Sequence, residues 1–191
     1  RAFGAWSRMT PYERGAVLDK TAALIRAEAD ALAGTTVLES GKPLLQARGE
    51  WLAAADLFEW FAEEGKRAYG RIVPARTPTK RMLVLKQPLG VVGLITAWNF
   101  PAWNIARAGG AALAAGCTIV VRPSEYTPLS GMAVVRLLTE AKTRGSPSRW
   151  VWPRAWANVS RRARASRTPY SSIPACASRP TRSTGSCNRS T

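Results

Sequence analysis

The chain has 191 residues and a formal charge of +16, with three cysteines and no histidine. No apolar run reaches the roughly 18 residues of a membrane span, and no basic leader with an apolar core marks a secretory signal. Cys117, Cys176 and Cys187 are too scattered for a disulfide framework, and without His or a C-x-x-C pair they make no zinc site. These exclusions point to a reducing, cytoplasmic setting, and a start at Arg1 rather than Met reads as a piece of something longer. The charge is uneven. Residues 1–142 hold 18 basic and 12 acidic side chains, whereas residues 143–191 hold ten Arg and no Lys, Asp or Glu.

In chain order, Thr10-Pro11 opens a first helix, because Thr can cap free N–H groups and Pro loses nothing at the first helical position. Val17, Leu18, Thr21, Leu24, Ile25 and Leu32 continue it at helical spacing and predict an end before Gly34. "VLESGKP" (37–43) reads as a helix end and a turn. A second helix follows over Leu44–Gly65, with Trp51, Ala55, Phe58 and Phe61 on neighbouring faces. Residues 71–88 change period: Met82, Val84 and Gln87 fall among prolines and basic residues, as in an exposed strand or hairpin. "GVVGLIT" (90–96) is a short apolar run that predicts a strand buried on both faces. "AWNIARAGGAALAAG" (102–116) reads as a helix, "CTIVVRPS" (117–124) as a second strand and "PLSGMAVVRLLTEA" (128–141) as another helix. This β-α-β-α order is the opening of an α/β, doubly wound parallel sheet, incomplete after two strands. The domain reading is 1–142, made of a helical segment 1–66, a strand or hairpin 67–88 and the sheet region 89–142. From residue 143 to 191 the Arg/Ser/Pro-rich composition predicts a disordered tail.

In such sheets ligands bind beyond the C-terminal strand ends. One end delivers Thr96, Ala97, Trp98 and Asn99; the other delivers Arg122, Pro123, Ser124 and Glu125. A carboxylate at the second strand end suits a ribose diol and repels a 2′-phosphate, which favours NAD over NADP. By itself, however, Glu125 is also what the positive end of a helix dipole attracts. Gly90 and Gly93 give G-x-x-G rather than the dinucleotide fingerprint, so they read as close-packing glycines. Gly109-Gly110 should each cost their helix roughly 1 kcal/mol relative to Ala.

The stretch "PLGVVGLITAWNFPAWNIARAGGAALAAGCTIVVRPSEYTPLSGMAVVRLLTEA" (88–141), with "ESGKP" (39–43) upstream, resembles the aldehyde dehydrogenase superfamily, nearest in pattern to its succinate-semialdehyde branch. The similarity runs from about Ala2 to Lys142. It implies an aldehyde dehydrogenase-like fold with a Rossmann-type cofactor domain, and oxidation of an aldehyde to the acid with NAD, NADP being less favoured. It implies that Asn99 donates its amide to the oxyanion formed when a cysteine thiolate attacks the aldehyde, a preorganised donor worth a few kcal/mol in the transition state. Ile95, Thr96, Ala97 and Trp98 match the nicotinamide side of the cofactor cleft. Arg122, where Lys is usual, reaches the adenosine ribose, and Ser124 and Glu125 match the residues around the ribose hydroxyls. Arg107, eight residues after Asn99, matches an arginine that binds a distal substrate carboxylate; a plain helix-surface cation is the equal alternative. Cys117 matches a packing position rather than the nucleophile.

The glycine-rich turn, general-base Glu and nucleophilic Cys that this resemblance implies are not present in the chain. The fragment is therefore expected to be inactive alone. Its partner is a small aldehyde; relatives form homo-oligomers. Two readings remain for the tail: an out-of-frame product of a G/C-rich gene, which is preferred, or a basic arm binding nucleic acid. The alternative for the whole chain is a non-catalytic nucleotide-binding module carrying that arm.

Overall fold

The computed structural model describes residues 2–143. Its elements are helices α1 (Ala2–Trp6), α2 (Pro11–Ser40) and α3 (Leu44–Glu64), a 3₁₀ turn at Gly65–Arg67, strands β1 (Arg71–Val73), β2 (Met82–Val84) and β3 (Val91–Ile95), helix α4 (Pro101–Ala114), strand β4 (Thr118–Arg122) and helix α5 (Pro128–Thr143). The expected helix-helix-hairpin-β-α-β-α order is present, preceded by α1, which the sequence pattern does not announce.

Thr10 starts α2 as expected. Its hydroxyl accepts from Glu13 N at 3.2 Å, and Glu13 Oε2 accepts from Thr10 N at 2.7 Å, a reciprocal cap. Hydrogen bonds from Thr10, its backbone N–H foremost, hold the Glu13 carboxyl below its ordinary pKa. The helix does not end before Gly34. It continues to Ser40, because Thr36 is enclosed and bonded on both sides: its hydroxyl lies 2.9 Å from Ser130 Oγ and accepts from the Trp51 indole at 2.9 Å. Those contacts outweigh the ~1 kcal/mol that a mid-helix glycine costs. The true stop is Gly41, at φ +68°, whose N–H bonds back to Val37 O at 2.9 Å.

The core lies between α2, α3, α4 and α5. Leu18 and Ile25 from α2 meet Trp51 and Phe58 from α3, Ile105 from α4, and Val134 and Leu137 from α5, all fully enclosed. The glycine pair in α4 has a packing reason. A Cβ at Gly109 would sit 3.2 Å from Leu94 and 3.3 Å from Ile119, and one at Gly110 would sit 2.8 Å from Phe61. One glycine lets the sheet approach α4 and the next lets α3 approach it. Both ends of α4 receive groups of the sign that its dipole favours. The Glu50 carboxylate accepts from Ala102 N at 2.9 Å at the start, while Arg14 Nε and the Trp6 indole each donate at 3.0 Å to Ala114 O and Leu113 O at the end.

β1 and β2 pair antiparallel as an exposed hairpin. β3 and β4 pair parallel, Val91 opposite Thr118 and Ile95 opposite Arg122. Contrary to expectation, β3 is not buried on both faces, and β4 beside it is not either. Leu94 is buried and Ile119 and Val121 pack toward the core, but Val91, Ile95 and Val120 on the opposite face are exposed. α4 covers one face; on the other Thr118 is buried while Val91, Ile95 and Val120 stand open. Nor do Gly90 and Gly93 mark close packing. Neither has an atom within 4 Å of an added Cβ, and Gly90 instead supplies a φ of +125° at the entry to β3. Among the described residues no helix is long and apolar enough to cross a membrane.

Candidate active site

Parallel pairing brings the two strand ends side by side. Thr96 N donates to Arg122 O at 3.2 Å, one step beyond the register pair Ile95 and Arg122. From that point the chain leaves β3 through Thr96–Phe100 into α4, and leaves β4 through Pro123–Thr127 into α5. Pro101 at the first turn of α4 and Pro128 at that of α5 set each entry angle.

On the first turn Trp98, Asn99 and Phe100 are all exposed. The Asn99 backbone carbonyl accepts from Lys42 Nζ at 2.7 Å, whereas its side-chain amide makes no hydrogen bond among the described residues. The Asn99 amide is thus an accessible donor on a tethered backbone. On the second turn Ser124 is buried, its Oγ accepting from Tyr126 N at 3.3 Å. The Glu125 carboxylate stands 3.8 Å from the Arg122 guanidinium, both largely exposed. That spacing is a loose ion pair, which leaves carboxylate oxygens free to accept further hydrogen bonds.

A shallow cleft of about 340 Å³ runs along the free edge of β3 against α4. Ile95, Thr96 and Ala97 line one side, Asn104, Arg107 and Ala108 the other. Arg107 is exposed, and its guanidinium lies 4.9 Å from the centre of the Trp103 ring, a cation–π contact that restrains where it points. The structure therefore gathers Ile95, Thr96, Ala97 and Arg107 at one cleft, and Arg122, Ser124 and Glu125 at the neighbouring strand end. Trp98 and Asn99 occupy the turn between β3 and α4. Cys117 is buried immediately before β4, as a packing residue would be. The expectations for Cys176, Cys187, the disordered or out-of-frame tail and the nucleic-acid arm lie outside the described residues.

Four side chains at this site escape a reading of the sequence for function. Asn104 lines the cleft beside Arg107. Glu50, on the apolar stripe of α3, is buried, and its Oε1 accepts from Ala102 N at 2.9 Å and Trp103 N at 3.4 Å. Lys42 bonds Glu50 Oε2 at 2.5 Å as well as Asn99 O. Glu39 accepts from Leu129 N at 2.5 Å and Ser130 N at 2.8 Å in the first turn of α5. A signal for Glu50 existed: a carboxylate at helical spacing among Ala47, Trp51, Ala54 and Phe58 must either be paired or be excluded from the core.

Comparison with known proteins identifies the family. A model of the aldehyde dehydrogenase family matches residues 1–151. The chain is 48% identical over 141 residues to the NADP(+) succinate-semialdehyde dehydrogenase of Escherichia coli, covering 74% of this chain and 29% of that protein. It is equally 48% identical over 141 residues to the glutarate-semialdehyde dehydrogenase of Pseudomonas putida, with the same coverage of 74% and 29%. Among solved structures it superposes on an NAD-dependent aldehyde dehydrogenase from Sinorhizobium meliloti with a TM-score of 0.71 at 39% identity, over 73% of this chain and 28% of that one. The chain spans less than a third of the length of these relatives. It belongs to the aldehyde dehydrogenase family and has the fold of the corresponding part of its members.

Proposed function

We propose that this member of the aldehyde dehydrogenase family contributes the oxyanion donor and part of the nicotinamide-cofactor cleft to an enzyme oxidising a semialdehyde to its acid. The observation that supports this reading is the pairing of the two strand ends, Thr96 N on Arg122 O, from which one turn leads to an unengaged Asn99 amide and the other to the Arg122–Glu125 pair. The Asn99 Nδ2–H donates to the negative oxygen that forms when a nucleophile adds to the aldehyde carbonyl. The donor is neutral and held in place by its backbone, so its interaction strengthens as charge develops.

The groups present suit a dinucleotide. Glu125, with carboxylate oxygens left free by a 3.8 Å pairing, accepts from ribose hydroxyls; Arg122 and Ser124 adjoin it, and Ile95, Thr96, Ala97 and Trp98 flank the nicotinamide end. A bound dinucleotide supplies the hydride acceptor. Glu125 favours NAD over NADP by repelling a 2′-phosphate, though the relatives include one named for each cofactor. Arg107, restrained on Trp103, pairs with the far carboxylate of succinate semialdehyde or glutarate semialdehyde, the substrates after which two relatives are named. Among the described residues the single cysteine, Cys117, is buried, so this reading assigns the nucleophile to a residue outside them.

The test is a hybrid in which residues 2–143 replace the equivalent stretch of the Escherichia coli enzyme. Asn99→Ala in that hybrid should lower kcat about 100- to 1000-fold with little change in KM. Arg107→Met should raise KM for succinate semialdehyde and leave that for an uncharged aldehyde alone. An unchanged kcat for Asn99→Ala sinks the oxyanion role.

A further inference from the structure

One five-residue stretch, Glu39-Ser40-Gly41-Lys42-Pro43, made of the end of α2 and the turn into α3, reaches the starts of both helices that leave the sheet. Through Glu39 it holds the first turn of α5 by three bonds, from Leu129 N, Ser130 N and Ser130 Oγ, all between 2.5 and 2.8 Å. Through Lys42 it holds the start of α4. Gly41, in the left-handed conformation, lets the two charged residues diverge toward different helices.

The contacts of Lys42 go further than capping requires. Glu50 satisfies the N-terminal amides of α4 by itself, at 2.9 Å from Ala102 N. Lys42 adds a bond to the other carboxylate oxygen, at 2.5 Å, and a bond at 2.7 Å to the carbonyl of Asn99; its ammonium also lies 4.1 Å from the centre of the Phe100 ring. The side chains of Lys42 and Glu50 are 12% and 1% exposed. Burying such a pair costs desolvation that its own attraction does not reliably repay, so stability is a weak reason for its presence. What the pair does geometrically is fix the direction of the Asn99 carbonyl. That direction sets the peptide plane between Asn99 and Phe100, which contains the Asn99 Cα, the atom from which the side chain springs.

We propose that Lys42, held by Glu50, is a positioning residue for the Asn99 amide. This rests on the oxyanion role of Asn99 given above, and the experiment separates the two. In the hybrid enzyme, kcat is compared for Lys42→Met, Asn99→Ala and the double variant. Lys42→Met should lower kcat about tenfold to a hundredfold at unchanged KM, as a displaced catalytic group does. On the Asn99→Ala background it should cause no further loss. Losses that multiply in the double variant overturn the proposal, because a general structural defect would act whether or not the amide is there.

The second measurement uses the intact 191-residue chain and does not depend on catalysis. Lys42→Met should shift the backbone carbonyl and side-chain amide resonances of Asn99 while leaving the Leu129 and Ser130 amides, held by Glu39, in place. Unmoved Asn99 resonances overturn the positioning role whatever the kinetics show. If those resonances move but Asn99→Ala leaves kcat intact, the oxyanion reading has failed and the positioning role in catalysis falls with it. Where Lys42→Met leaves Glu50 charged and the chain does not fold, Lys42→Met/Glu50→Gln replaces it, since the Gln oxygen still accepts from Ala102 N. It is read by the same criteria.

Discussion

In α3, Trp51 and Phe58 are 0% exposed; in the neighbouring strand pair, Val91, Ile95 and Val120 are 64%, 78% and 58% exposed. The two regions are similarly apolar, so composition does not explain the difference. α3 has α2 and α4 packed along it, and its small residues Ala47, Ala54 and Ala55 let them come close. The strands have α4 on one face, and on the other Val91, Ile95 and Val120 stand open. An apolar residue is buried by what lies opposite it, and a two-strand parallel sheet has two faces to cover. The helical layer thus encloses its core within the described residues, although Leu44, Leu45 and Trp60 of α3 stay exposed, and the sheet layer is covered on one face.

The strongest way to break this contrast is Trp51→Ala. It empties a fully enclosed site and leaves Thr36 without the indole donor. A loss of about 3–5 kcal/mol is expected, read as the shift of the urea midpoint of the 191-residue chain; a loss below 1 kcal/mol would mean that the helical layer is not closed. Gly110→Ala should come next, at about 1–3 kcal/mol, because its Cβ would meet Phe61 at 2.8 Å where α3 and α4 touch. A stabilised variant would show instead that the interface yields and that helix propensity decides. Val120→Thr, on the face away from α4, should change the midpoint by no more than about 0.5 kcal/mol. A larger loss would place a partner over that face.

The same contrast explains what could be read from residues alone. Starts and periods were legible: Thr10-Pro11, the β-α-β-α order and the Asn99 corner are local signals, each written within a few residues. What was not legible depends on residues far apart. Gly34 stops no helix because Thr36, two residues on, is tied to Trp51 and Ser130. Gly109 and Gly110 read as a weakness of α4 until Leu94, Ile119 and Phe61 stand against them. Lys42 read as part of a turn, and its contacts with Glu50 and Asn99 span 8 and 57 positions of sequence. The candidate site divides in the same way. Its donors and strand ends were visible, and the groups that aim them were not.

The capping of α4 bears on the order of assembly. Its terminal partners, Trp6, Arg14 and Glu50, lie 107, 100 and 52 positions before the residues of α4 that they bond. A ribosome makes chains from the first residue onward, so all three have been synthesised before α4 begins to emerge. α2 and α3, joined by a turn of three residues, can pair while the rest is still being translated. The nascent α4 can then meet a cradle already carrying a carboxylate for its head and a guanidinium and an indole for its foot.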